Sequence, residues 1–235
     1  MNFSGAGVIP AGEYDEEIKI SGSGHIKGNI KCTEFHSAGM VKGDGDIDCS
    51  GAIRVSGSFT TKGNVKSCGM KFAGSATVHG RIKCEELSTA GALHTDAGIE
   101  AETATIRGMI NCGGLLNAEK IDVKINENSH ADSIGGGEIT IAREHGSAAN
   151  INVNVFLQLK RLFRNQSSNI SVGRGTFTVD EYIEGDTIDL EHVHAPVVTG
   201  RIVKIGDGCE IETVRYSEQC EVSPTARVGK TEKAI

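Results

Sequence analysis

Phe72–Cys84 has the sequence FAGSATVHGRIKC, and closely similar wording occurs in Val55–Ser67 (VSGSFTTKGNVKS) and in Ile20–Cys32 (ISGSGHIKGNIKC). The third residue of each segment belongs to a glycine column with steps of 17 or 18 residues: Gly5, Gly22, Gly39, Gly57, Gly74, Gly91 and Gly108. A second column follows six residues later: Ala11, Gly28, Gly45, Gly63, Gly80, Ala97 and Gly114. Two columns that keep their phase over seven units indicate an internal repeat of about 17 residues.

Within each unit, apolar or small residues alternate with polar ones. The position eight residues after the first glycine is apolar: Ile30, Ile47, Val65, Ile82, Ile99 and Leu116. The position three residues after it is mostly polar: His25, Lys42, Thr60, Thr77, His94 and Asn111. A period of two is typical of extended chain with one buried face. Because a strand with a crossover helix needs roughly 30 residues, the units must stack directly. The sequence predicts an all-β parallel β-helix, also called a β-solenoid.

The repeat continues less regularly in the second half of the chain. The segments IGGGEITI (Ile134–Ile141), IEGDTIDL (Ile183–Leu190) and VTGRIVKI (Val198–Ile205) align, and the last two are 15 residues apart. We therefore predict regular 17-residue coils over residues 1–126 and a continuation with shorter coils over residues 127–235. Together they form one continuous solenoid.

An apolar insertion at about residues 145–172 interrupts the second half. Its apolar side chains are Phe156, Leu157, Leu159, Leu162 and Phe163. Such a segment is typical of a short helix or extended flap packed on the side of the solenoid. The alternative is an amphipathic element that touches a membrane surface or a partner.

Composition and charge exclude some classes of function. A formal net charge of -7, without a basic run, argues against a nucleic-acid binder that neutralises phosphates. The opening sequence MNFSGAGVIPAGEYDEE has neither the basic nor the apolar region of a secretory signal. The seven cysteines are odd in number and contain no CxxC pair, which is typical of reduced thiols. We expect a cytoplasmic protein.

The residue types that carry chemistry do not form a recognisable catalytic or metal site in the sequence. Cys32, Cys49 and Cys84 share one column with Ser67, Ala101 and Ala118, so we interpret these cysteines as small packing residues. His192 and His194 form an HxH pair without a third ligand, which is weak evidence for metal. We expect no enzyme, no cofactor and no metal.

Two enzymatic β-helices are the rivals to a structural reading. Val203–Ile211 (VKIGDGCEI) is locally similar to the hexapeptide motif of left-handed β-helix acyltransferases. Those coils keep multiples of six residues, whereas the units here have 17 and then 15, and no histidine is singled out as catalytic. Polysaccharide-acting β-helices carry clustered acids and aromatic platforms, which this chain lacks.

The two ends of a solenoid expose strand edges unless a cap covers them. The first coil contains Phe3, Val8 and Ile9 and shows no obvious capping helix. The apolar residues of the last coils are Val214, Tyr216, Val222 and Val228. We predict that these seven residues form self-association contacts.

The repeated units quoted above resemble the bactofilins, which are polymer-forming bacterial cytoskeletal proteins. The resemblance is clearest over Ile18–Val123, and Tyr182–Glu218 resembles the tail of longer bactofilin-like proteins from Gram-positive bacteria. It implies a right-handed β-helix that polymerises end to end without nucleotide, as a filament or scaffold. It also implies association with the inner face of the membrane or with membrane-associated proteins. A hexapeptide-type acyltransferase and a non-polymerising scaffold or adaptor are the alternatives.

Overall fold

The computed structural model describes residues 1–144 and 175–234, which form fifteen β-strands and no helix. The strands are β1 Asn2–Glu13, β2 Ile18–Cys32, β3 Phe35–Gly43, β4 Ile47–Cys49, β5 Ala52–Thr61, β6 Val65–Lys66, β7 Gly69–Val78, β8 Ile82–Lys83, β9 Glu86–Thr95, β10 Ile99–Ile125, β11 Ser129–Arg143, β12 Phe177–Leu190, β13 Val193–Ile205, β14 Glu210–Val222 and β15 Arg227–Lys233. They pair in parallel and join into a single sheet. This confirms the predicted β-solenoid.

The strand register gives the number and the length of the coils. One column can be followed through twelve layers: Val8, His25, Lys42, Thr60, Thr77, His94, Asn111, His130, Thr178, His194, Glu210 and Arg227. The step is 17 or 18 residues from β1 to β9 and falls to 15 where Ile183 pairs with Val198. It returns to 17 where Val214 pairs with Thr231. The predicted shortening is confirmed at the 15-residue step, and the coils after it lengthen again.

Alternate residues of each strand form the interior. The predicted apolar column is at most 2% exposed in every coil: Ile30, Ile47, Val65, Ile82, Ile99 and Leu116. Three aromatic rings fill the wider part of the regular half. The Phe59 ring contacts Phe35 edge-on at a centroid distance of 6.3 Å and lies 5.8 Å from Phe72. A narrow interior of aliphatic residues with these few rings accounts for the low aromatic content of 4%.

The first glycine column marks a bend where the backbones of successive coils approach closely. From Gly22 to Gly108 its members have φ between 122° and 143° and pair with one another in register. A Cβ atom on any of them would lie 2.1–2.5 Å from the carbonyl oxygen of the glycine one coil earlier. Only glycine satisfies both conditions. The repeat is therefore a direct consequence of the geometry of the bend.

The solenoid continues across the predicted insertion. Strands β11 and β12 flank it and pair directly, with Ile134 opposite Ile183 and Ile139 opposite Ile188. The proposed contact residues of the insertion lie outside the described residues: Phe156, Leu157, Leu159, Leu162 and Phe163. Among residues 1–144 and 175–234, no helix has the length and apolar character required to cross a membrane.

Candidate self-association surfaces

The first and last strands present outer edges that pair with no other described strand. β1 pairs with β2 and β15 pairs with β14, each on one side. Residues 219–222 of β14 pair with β13 on one side and have no described strand on the other. Because half of the backbone groups of a parallel strand point to each neighbour, these edges carry free donors and acceptors. Free edges of this kind are templates for pairing with another chain.

At the N-terminal end, the three predicted residues differ in exposure. Val8 is 52% exposed, whereas Ile9 is only 1% exposed and belongs to the interior. Phe3 is partly buried against the core. Its ring occupies the space beside Gly7, where a Cβ atom would lie 2.9 Å from the ring. Gly7 therefore allows Phe3 to fold over the open end of the shaft.

At the C-terminal end, the predicted residues belong to the last two layers. Val214 is fully buried beneath β15, whereas Val222 is 42% exposed. Tyr216 and Val228 are partly buried against the core. The Lys233 ammonium lies 6.0 Å from the centre of the Tyr216 ring, at the limit of a cation–π contact.

The sheet register relates the predicted residues of the two ends to one another. Ile9 begins an interior column that passes through Ile26 and reaches Val179. Val228 ends the column that contains Ala195 and Ile211. The neighbouring outward column begins at Val8 and ends at Arg227 through twelve registered layers. The two ends therefore have equivalent strand positions.

Charged residues on the flanks form pairs between successive coils. The Lys31 ammonium donates a hydrogen bond to Glu13 at 2.6 Å, which lowers the pKa of Glu13 and raises the pKa of Lys31. Near the other end, hydrogen bonds from Lys230 and Arg215 lower the pKa of Glu232. Exposed pairs of this type contribute little to stability. They do neutralise charges that would otherwise face a stacked copy.

The cysteine column and the histidine pair are placed as follows. Cys32, Cys49 and Cys84 are 8% exposed or less, in agreement with a packing column. His192 lies in a bend between β12 and β13 with φ of 54°, whereas His194 lies within β13, 4.0 Å from a Glu210 carboxylate oxygen. The two histidines therefore do not share one strand face.

Two groups of metal-ligand residues come together that the sequence did not predict. Each contains ligand atoms within 4.8 Å of one another: Glu17, Glu34 and His36 in one, and His130, Asp132 and Asp180 in the other. Their members already form ion pairs within the chain. His36 lies 3.3 Å from both Glu17 and Glu34, and His130 lies 3.0 Å from Asp180. Members of both groups come from different coils, so sequence spacing does not reveal them.

These features define a β-solenoid whose terminal strands have open edges within the described residues. No family model matches the chain, and no solved structure matches it. It is similar to the uncharacterized protein YhbF of Bacillus subtilis (strain 168), with 32% identity over 121 residues, 51% of this chain and 42% of that protein. The uncharacterized protein YhbE of the same strain is 33% identical over 121 residues, 51% of this chain and 43% of that protein. The matches thus span less than half of the length of each relative.

Proposed function

We propose that this chain is a structural, non-enzymatic protein that assembles end to end through its terminal coils. The observation that carries the proposal is the pair of open strand edges at equivalent positions of one continuous sheet. A second copy stacked on either end would satisfy the free backbone groups and extend the interior columns. Solenoid coils contact only their nearest neighbours, so an added copy repeats interactions that already stabilise each layer.

The apolar residues at the ends favour the same mode of assembly. Val8 and Val222 are among the few large hydrophobic side chains that are substantially exposed. Burying them against a second copy removes apolar surface from water, which contributes roughly 25 cal/mol per Å². The sequence resemblance to bactofilins supports polymerisation without nucleotide or other cofactor, and a cytoplasmic place at the inner face of the membrane. Within this proposal the protein acts as a scaffold.

A charge placed at one end is expected to weaken assembly. In Val8→Lys or Val222→Lys, the ammonium would have to be desolvated or would face another cation in the contact. We expect the concentration required for assembly to rise at least about tenfold. Analytical ultracentrifugation and electron microscopy over a range of protein concentrations would measure this.

Met40→Lys is the matched control for these variants. Met40 is 50% exposed but lies in β3, where both neighbouring coils are already present. We expect this variant to assemble like the wild type, and all three variants to retain the wild-type thermal unfolding midpoint within a few degrees. A wild-type protein that stays monomeric at every concentration would refute the proposal, as would equal impairment by Met40→Lys and Val8→Lys.

A further inference from the structure

A groove of about 760 Å³ runs along the flank of the regular half, away from both ends. It crosses several coils, and the small-residue column forms part of its wall. That column contributes Cys32, Cys49, Ser67, Cys84 and Ala101 to the lining. The end-to-end contacts proposed above do not involve this surface.

Cys32 and Cys49 differ from the other members of the column because they contact each other. They are directly opposite in the paired strands β2 and β4, and their Sγ atoms are 2.6 Å apart. Neighbouring strands are about 4.8 Å apart, which lies within the Cα separation of about 4.4–6.8 Å found in disulfides. In the same column Cys84 has Ser67 on one side and Ala101 on the other. Only the first two cysteines of the column therefore have a thiol partner in the adjacent coil.

The contact makes the two thiols chemically unequal. The hydrogen bond with Cys49 lowers the pKa of Cys32. The same bond, together with burial, raises the pKa of Cys49. Cys32 is also the more accessible of the two, at 5% against 2% exposure. Because the thiolate is the attacking species in disulfide exchange, Cys32 is the nucleophile and Cys49 the resolving thiol.

We propose that Cys32 and Cys49 form a thiol–disulfide exchange site that reacts with a low-molecular-weight disulfide entering the groove. The Cys32 thiolate attacks one sulfur of the disulfide, forms a mixed disulfide and releases one thiolate. Cys49 then loses its proton, attacks Cys32 Sγ and expels the second thiolate. Both thiolates leave as thiols after protonation. The two cysteines are oxidised to one intramolecular disulfide, and the small disulfide is reduced to two thiols.

The product would join the second coil to the third by a covalent bond beside their backbone hydrogen bonds. Neighbouring coils already hold the two cysteines in register, so the reaction needs no rearrangement of the sheet. The site is independent of the proposed assembly, because its residues lie on the flank of inner coils. Loss of either property leaves the other testable.

The test uses the full chain in a Cys68→Ser/Cys220→Ser background, which removes the two most exposed thiols. After incubation with excess oxidised glutathione, we expect a mass loss of two hydrogen atoms and a peptide linking Cys32 to Cys49. Dithiothreitol should reverse both changes. Cys49→Ser should instead trap a glutathione adduct on Cys32, since the resolving thiol is missing.

Cys84→Ser is the matched control, because it removes a buried thiol from the same column without removing the pair. We expect it to leave formation of the link unchanged, whereas Cys32→Ser or Cys49→Ser lowers intramolecular disulfide formation at least about tenfold. Two reduced thiols after full equilibration with the oxidant would overturn the proposal. A link that involves Cys84 in place of either partner would do the same.

Discussion

Replacing Gly74 by alanine is expected to lower the free energy of unfolding by about 3 kcal/mol or more. Gly74 has φ of 125°, a backbone conformation that costs an L side chain about 1–3 kcal/mol. A Cβ atom would also lie 2.3 Å from the carbonyl oxygen of Gly57, which belongs to the backbone of the previous coil. That oxygen cannot move away without disturbing the sheet register on both sides. Urea denaturation followed by circular dichroism would measure the loss.

Gly69→Ala provides the control within the same strand, β7. Its Cβ would meet no atom within 4 Å, so we expect a change of less than about 1 kcal/mol. Gly5→Ala separates the two causes, because Gly5 has φ of 92° but open space where a Cβ would lie. We expect an intermediate loss for that variant. Equal effects of Gly74→Ala and Gly69→Ala would show that the close approach of the coils is not a constraint.

The sequence was sufficient to predict the layers because the coil length repeats along the chain. Aligning Ile134, Ile183 and Val198 from their surroundings correctly predicted three residues that occupy one column. The same alignment works across the insertion because β11 and β12 must pair directly to bury their apolar faces. Periodicity in a solenoid is therefore information about three-dimensional neighbours, which it is not in most folds.

The contacts of individual side chains could not be predicted in the same way. Cys32 and Cys49 were correctly assigned to a packing column, since Ser67 and Ala101 occupy equivalent places. Whether two sulfurs in adjacent coils turn toward each other depends on side-chain rotamers and on the local outline of the coil. The cluster around His36 has the same origin, because its partners Glu17 and Glu34 lie in different columns.

The end surfaces and the interior depend on the same physical property. Each inner coil is stabilised by a neighbour above and below, whereas a terminal coil in the isolated chain has a described neighbour on one side only. Losing a contact in the middle of the shaft therefore weakens two interfaces between layers at once. The residues that matter most for stability should lie in the inner coils of the regular half, where the rings of three phenylalanines meet.

Replacing Phe59 by alanine is the second change with a large expected effect, a loss of about 3–5 kcal/mol in the free energy of unfolding. Phe59 is 1% exposed, and its ring contacts Phe35 and Phe72 at centroid distances of 6.3 Å and 5.8 Å. The next residue of its column is Ala76, which is too small to fill the cavity. Denaturant unfolding with a spectroscopic probe of β-structure would measure the change.

Phe59→Leu is the matched variant, because it keeps an apolar side chain in the shaft and removes only the ring contacts. We expect it to lose about 1–1.5 kcal/mol, in the range of hydrophobic replacements that roughly conserve volume. Hydrogen-bonded layers on both sides of Phe59 hold the coil outline fixed, so the cavity in Phe59→Ala has little freedom to collapse. A loss below about 1 kcal/mol for Phe59→Ala would mean that the coils relax inward. The thin shaft would then be a deformable interior, and the column positions would not define its packing.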